Sequence, residues 1–303
     1  MIDHSATSPT EGRNPRTTGI DLLPTPEILE LLHDEDELVP AAVRPVLGTL
    51  AEVVDEAASR VRGGGRVHYF GAGSSGRIAM LDAAELAPTF GLAPGIVVAH
   101  LAGGATAMVS AIEGAEDDEE RGVQEAAEVT EADIVLGLSA SGRTPYVAGA
   151  LAAAASRGAF TVAVTCNPRA PIGSLATVAI AVDTGPEAIA GSTRLKATSA
   201  LKLILNTFST ALMIRLGKTY SNLMIDVTAT NSKLRARKIR ILQDAVGADA
   251  TVAEAALAAA DGDVRLALVA LLAGVDVALA RQALGDTDGN IRHALTTLGI
   301  PPA

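Results

Sequence analysis

Five short, mostly apolar runs punctuate residues 66–182, and each is followed by a stretch with helical spacing or a turn. They are 66–70 (RVHYF), 95–100 (GIVVAH), 133–138 (DIVLGL), 160–166 (FTVAVTC) and 177–182 (TVAIAV). The runs are continuous rather than alternating. A strand that is apolar on both sides must be covered on both sides, which is the pattern of a parallel sheet between helical layers. Helices are expected at 76–87, 105–114, 118–129 and 145–157. The fold class is therefore α/β: a three-layer parallel sheet with helices on both faces. Hydrophobic residues make up 49% of the 303, enough for a sizeable core, but aromatics are only 2% and Trp is absent, so Ala, Val, Leu and Ile must build it.

Outside this region the pattern changes. Residues 1–20 are polar and rich in Thr, Ser, Pro and Arg, and read as a loose arm. Apolar residues then recur at helical spacing until Gly63–Gly65 stop the run. A long helical region is expected over roughly 194–244. The Ala-rich C-terminal part repeats itself: ALAAADGDVRLAL (256–268) matches ALGDTDGNIRHAL (283–295) at an offset of 27. Each copy reads as a helix end, an Asp-Gly turn and a new amphipathic helix, so two stacked helical hairpins with a packing role are expected; two copies are too few for a solenoid. The boundaries implied are 1–50 for the arm and first helices, 51–245 for the α/β domain, and 246–303 for a small all-helical (UBA-like) C-terminal domain.

Charge and composition exclude several functions. The net charge of −11 argues against a general binder of nucleic acid or anionic membrane, though local cations and backbone amides can still hold a small anion. The basic run Lys233, Arg235, Arg237, Lys238 and Arg240 has no interleaved aromatics and reads as a solvated helix face. The single cysteine, Cys166, excludes an internal disulfide and reads as a buried residue at a strand end. The histidines His4, His33, His68, His100 and His293 lack ligand spacing, so neither metal nor cofactor is expected. The N-terminus lacks the pattern of a signal peptide, and no uninterrupted apolar run reaches a membrane span. A soluble, cytoplasmic protein is the default expectation.

The glycine turn FGAGSSGR spells G-x-G-x-x-G with Gly71, Gly73 and Gly76. A dinucleotide site would also place an acidic residue at the end of the next strand, which instead ends in His100 and Leu101. Ser74 and Ser75 sit at the helix start, where hydroxyls and free N–H groups suit a phosphate. A second loop repeats this chemistry: DIVLGLSASGRTPYV runs from a strand through Ser139, Ser141, Gly142, Arg143 and Thr144 into a helix with Pro145 in its first turn. Either loop alone reads as an ordinary capped helix start. Two of them at one carboxyl edge of a parallel sheet, with an arginine beside one, read as a site for a single phosphate.

These paired serine loops resemble the sugar isomerase (SIS) domain, which binds phosphosugars. More narrowly, LDAAELAPTFG, AIEGAEDD, SASGRTPYV, TCNP, GSTRLKATSALKLILN and NLMIDVTATNSKL resemble the N-acetylmuramic acid 6-phosphate etherases, in the same order from about Asp21 onward. That resemblance implies cleavage of the D-lactyl ether to N-acetylglucosamine 6-phosphate and D-lactate, in recycling of cell-wall sugar. It also implies a route: the ring opens, a base removes the C2 hydrogen, lactate leaves from C3, and water adds there. By motif, Glu85 would be the proton donor and Glu116 the base. The apolar neighbours of Glu85 (Ala83, Ala84, Leu86, Ala87, Pro88) would desolvate it and suit it to an acid, whereas its plain alternative is a charge on a solvated helix face. Glu116 stands in a stretch where six of the eight residues 113–120 are acidic, and only the motif separates it from Glu113.

Glu85 follows Ser75 by ten residues, about 15 Å along a straight helix, too far for both to reach one sugar phosphate. A homodimer in which Glu85 serves the neighbouring subunit's serine loops is therefore expected. In GSTRLKATSALK, Ser192, Arg194 and Lys196 are further candidates for holding the phosphate or the lactate carboxylate, with a well-capped core helix as the alternative. Gly73 and Arg143 complete the candidate substrate contacts. Two other functions stay open on the residues: a non-catalytic phosphosugar sensor, like the glucokinase regulatory protein that the sequence also resembles, and an aldose–ketose isomerase.

Overall fold

The computed structural model describes residues 8–226 and 232–301, and of 232–235 only the backbone. The side chains of Lys233 and Arg235, and residues 227–231 of the NLMIDVTATNSKL motif, thus lie outside what is described. Contacts divide the chain into two compact units. One holds the residues up to 84 and 94–212; the other holds 85–93 and everything from 213 on.

In the first unit, five parallel strands, β1 (Val67–Gly71), β2 (Val97–Leu101), β3 (Ile134–Leu138), β4 (Phe160–Thr165) and β5 (Val178–Ala181), form one sheet in the order β2-β1-β3-β4-β5. The three central strands are apolar on both sides because both sides are covered. Helices α1 (Thr25–Asp36), α2 (Leu38–Val43) and α3 (Leu47–Arg62) precede the sheet; α4 (Gly73–Phe90), α5 (Glu119–Glu125), α6 (Pro145–Ser156) and α7 (Lys196–Arg215) follow its strands, with residues 85–90 of α4 and 213–215 of α7 counted in the second unit. On one face, Phe70, Val135 and Ala163 pack with Tyr146, Val147 and Leu151 of α6. On the other, Tyr69 meets Phe208 of α7 edge to face at 6.3 Å and donates to Asp82 of α4 at 3.1 Å. Ser209 of α7 donates to the same carboxylate at 2.9 Å. The crossovers after β1 and β3 thus lie on opposite faces of the sheet. The expected α/β architecture is the one found.

Four expectations change. Residues 105–114 are not a helix: a short 3₁₀ turn at Gly104–Met108 gives way to irregular chain, because Gly103, Gly104 and Gly114 all take positive φ. The 194–244 region is not helical throughout. It breaks after α7 at Gly217, φ +74°, and a two-stranded hairpin, β6 (Thr219–Tyr220) and β7 (Leu223–Met224), separates it from α8 (Ser232–Val246). The arm is not loose over residues 8–20. Ser8, Thr10, Asn14 and Thr17 are buried, Thr17 donates to the Ala188 carbonyl at 2.8 Å, and the Gly191 N–H donates to the Thr10 carbonyl at 3.2 Å. The histidines are not all scattered: the parallel register brings His68 and His100 together, Nδ1 to Nε2 at 3.1 Å, with His100 stacked on Phe70 at 4.1 Å. Burial lowers the pKa of both rings.

Cys166 is buried directly after β4, and burial pushes its thiol up to about 12. Among the described residues, α7 alone has the length and composition of a membrane span, but half of that stretch is buried within the protein, with Leu201, Ile204, Leu205 and Phe208 in the core.

The second unit is helical beyond β6 and β7: α8, α9 (Ala250–Ala259), α10 (Val264–Ala273), α11 (Val277–Gly285) and α12 (Ile291–Thr297). The 27-residue repeat recurs in its caps. Asp249 and Asp276 accept from the N–H groups of Val252 and Leu279, and Asp263 and Asn290 accept from those of Leu266 and His293. The turns match as well, with Asp261 and Asp288 at φ 53° and 52°.

Candidate active site

Strands β1 and β3 are direct neighbours, about 4.8 Å apart, with Gly71 opposite Leu138, so the chain leaves the sheet at Ala72 and Ser139 from adjacent strand ends. From there the chain turns away in opposite directions, β1 toward β2 and β3 toward β4. This is the topological switch point, where open parallel sheets leave a crevice at their carboxyl edge.

The first loop is tight because two backbones touch. A Cβ on Gly76 would lie 2.4 Å from Leu101 Cδ1 and 2.5 Å from the Gly71 carbonyl oxygen, so no side chain fits. Gly73 opens α4, and Ser74 and Ser75 occupy its first turn, half-buried and buried respectively. There the helix leaves backbone N–H groups without intrahelical partners and its dipole favours an anion.

The second loop is a closed hydrogen-bonded turn. Ser139 Oγ accepts the Gly142 N–H at 3.0 Å and lies 2.7 Å from Thr144 Oγ1, and Ser141 Oγ accepts the Arg143 N–H at 3.3 Å. Gly142 has φ +70°, and its Cβ would meet that of Ala170 at 2.1 Å. The end of β4 braces the loop: Asn167 Nδ2 donates to the Ser141 carbonyl at 3.1 Å, and the Thr165 hydroxyl donates to that of Ala140 at 3.3 Å. Ser139 and Thr144 thus bond each other within the turn, while Ser141 and Arg143 stand half-buried at its rim.

A cavity of about 360 Å³ opens beside the glycine turn. Ala72, Gly73 and Arg77 border it, as do Glu113, Gly114, Ala115 and Glu116. The chain thus brings Gly73 and Glu116 together, along with Glu113. None of the five candidate hydroxyl residues lines this cavity. Glu116 is exposed in a 3₁₀ turn, Ala115–Asp117, and the next acidic residue but one, Asp118, caps α5 by accepting from the Arg121 N–H at 2.8 Å.

Other candidates lie elsewhere. Glu85 is exposed on α4, because the helix turns the buried Leu86 inward and Glu85 outward; its apolar neighbours do not desolvate it within the chain. Ser192 is half-buried and Arg194 exposed. Lys196 is only 1% exposed and its ammonium is paired with Glu35 at 2.5 Å. The start of α7 already holds an anion of its own: buried Glu187 accepts from the N–H groups of Lys196 and Ala197 at 2.9 and 3.0 Å.

The sequence reading missed Arg77. It follows the last glycine of the turn directly, and its guanidinium donates to the carbonyls of Ala107 and Ser110 at 2.9 and 3.2 Å. Its place in FGAGSSGR was the available signal.

The family models agree with the fold. The glucokinase regulatory protein N-terminal SIS domain matches residues 49–155, and the SIS domain matches 106–208. Full-length similarity is narrower. The N-acetylmuramic acid 6-phosphate etherase of Thermobifida fusca (strain YX) is 58% identical over 265 residues, covering 88% of this chain and 87% of that protein. Those of Mycolicibacterium smegmatis and Brucella anthropi are 52% and 51% identical, covering 87% and 86% of this chain and 89% and 85% of their own lengths. The similarity spans both serine loops and the Glu116 turn, and the chain belongs to the N-acetylmuramic acid 6-phosphate etherase family.

Proposed function

We infer that this chain is a carbon–oxygen lyase that cleaves the D-lactyl ether of N-acetylmuramic acid 6-phosphate, giving N-acetylglucosamine 6-phosphate and D-lactate. The observation that carries this reading is 58% identity to an etherase across nearly the whole of both chains. The two serine loops at the switch point, with a carboxylate-lined cavity beside one of them, support it.

An alkyl ether resists direct hydrolysis. Opening of the sugar ring makes the C2 hydrogen acidic beside the aldehyde. Glu116 takes that proton, and the lactate oxygen leaves C3 with a proton from Glu85, giving a C2–C3 double bond. Water then adds at C3 and a proton returns to C2. The phosphate is gripped by the glycine turn with Ser74 and Ser75 and by the loop of Ser139, Ser141 and Thr144, with Gly73, Arg143, Ser192 and Arg194 around the sugar. A pair of carboxyl groups can carry out both proton transfers without a metal.

The working unit is a homodimer in the cytoplasm. Glu85 and Ser75 share the unbroken helix α4 ten residues apart, which is about 15 Å of rise. Glu85 is also exposed in the single chain, so its neighbour's site is the place where it would be desolvated.

The direct test incubates the purified protein with N-acetylmuramic acid 6-phosphate in H₂¹⁸O. D-lactate must appear without label, and N-acetylglucosamine 6-phosphate must carry ¹⁸O at C3. Absence of D-lactate would refute the activity, and label in lactate would refute elimination. For subunit sharing, a Glu85→Gln chain is mixed with a Ser75→Ala/Ser141→Ala chain. Recovery of activity from two inactive partners is expected, and no recovery on verified mixed dimers would exclude sharing.

A further inference from the structure

We propose that Arg77 is a positioning residue of this site: it ties the loop that carries Glu116 to the glycine turn, so that the base is held at a fixed distance from the phosphate grip. The proposal rests on the etherase reading for the role of Glu116, and on geometry for the tie.

Arg77 stands in α4 one residue after Gly76, whose backbone is locked against Gly71. Its anchor is therefore a tightly packed point of the crevice. From there the guanidinium spans to two carbonyls of a single segment, with Nε donating to Ala107 at 2.9 Å and Nη2 to Ser110 at 3.2 Å. These are charge-assisted bonds, stronger than neutral ones.

Apart from buried Ala107, the segment's own bonds are local, with the Val109 and Ser110 N–H groups donating to the Thr106 carbonyl at 3.2 and 3.1 Å. Residues 109–114 are exposed and irregular, Val109 is 86% exposed, and positive-φ glycines stand at both ends, at 103, 104 and 114. Glu116 follows two residues after Gly114. Arg77 and Glu116 border the same cavity, so the tether and the group it places share one space.

Only a planar fork suits two carbonyls at once. A lysine at this position would reach one of them as a point charge, and a methionine neither. A reacting group displaced by about 1 Å can cost about a hundredfold in rate.

The experiment compares wild type, Arg77→Met and Arg77→Lys. D-lactate release by the wild type establishes the activity. For Arg77→Met, kcat is expected to fall by about ten- to a hundredfold, while KM and the inhibition constant of inorganic phosphate stay within about twofold. Arg77→Lys should recover part of kcat. Amide hydrogen exchange over residues 104–114 should quicken in both variants, with exchange in the β1 and β3 amides unchanged. An inhibition constant for phosphate that rises in step with the loss of kcat/KM would overturn the proposal and make Arg77 a phosphate ligand. Unchanged kcat, or unchanged exchange in the loop, would overturn it as well. Should Arg77→Met fail to fold, Arg77→Lys carries both measurements. If the wild type itself releases no D-lactate, the etherase reading falls, while the exchange measurement still decides whether Arg77 holds the loop.

Discussion

Glu35 offers a stability prediction that can be worked through from its surroundings. Its carboxylate is buried and receives hydrogen bonds from Arg16 on the arm and Lys196 at the start of α7, both at 2.5 Å. Burial alone would raise its pKa, but the two cations outweigh it and hold the group down at about 2, against an ordinary 4.5. A group depressed in the folded state stabilises that state above its unfolded pKa. The gap is worth about 3 kcal/mol at neutral pH. The contribution erodes as pH falls through 4.5, stands at about 1.4 kcal/mol at pH 3, and is gone below about 2. Glu35→Gln should therefore cost about 3 kcal/mol at pH 7, with the ammonium of Lys196 left buried without its counter-charge. Urea unfolding followed by tyrosine fluorescence is suited to this, since Tyr69 and Tyr146 lie in the first unit and there is no Trp. The wild-type minus variant difference, taken at pH 7, 5, 4 and 3, removes the titration of the other carboxylates. Replacing both partners, as Glu35→Met with Lys196→Met, should restore most of the lost stability at pH 7, because no lone charge is left inside. A pH-independent difference, or a loss at pH 7 below about 1 kcal/mol, would refute the reasoning.

Two further expectations concern the site. Glu85→Gln and Glu116→Gln should each lower the rate of D-lactate release by about 10² to 10⁴, whereas Glu113→Gln should leave it within about tenfold, and steady-state kinetics on the three variants would show if Glu113 is instead the base. Gly142→Ala puts a methyl group against Ala170 at a positive φ, so a loss of about 2–4 kcal/mol by thermal unfolding and a raised KM are expected; an unchanged Tm with unchanged KM would mean that the second loop does not shape the grip.

The sheet was legible because each strand is a local fact. A run such as IVLGL must be covered on both sides wherever it ends up, and all five such runs became strands. The serine loops were legible for the same reason, since a glycine turn and a helix start are neighbours in sequence. What failed depended on distant partners or on backbone geometry that composition hides. Residues 105–114 are rich in helix-forming Ala, but the flanking glycines set positive φ and end any ladder. Glu35 and Lys196 are 161 residues apart, so no local pattern pairs them. His68 and His100 meet only through the register of β1 and β2. Arg77 binds main-chain oxygens, acceptors that every residue carries and no motif marks.

The divergence of the chain after β1 and β3 has a consequence for how this scaffold can change. Because connectivity rather than any side chain creates the gap, the gap survives replacement of almost everything that lines it. With the phosphate held at the sheet rim, as proposed, a lineage can keep that hold and exchange the distal residues one at a time. Each new arrangement of acids then meets the same handle, and catalysis can be gained or lost without rebuilding the frame beneath.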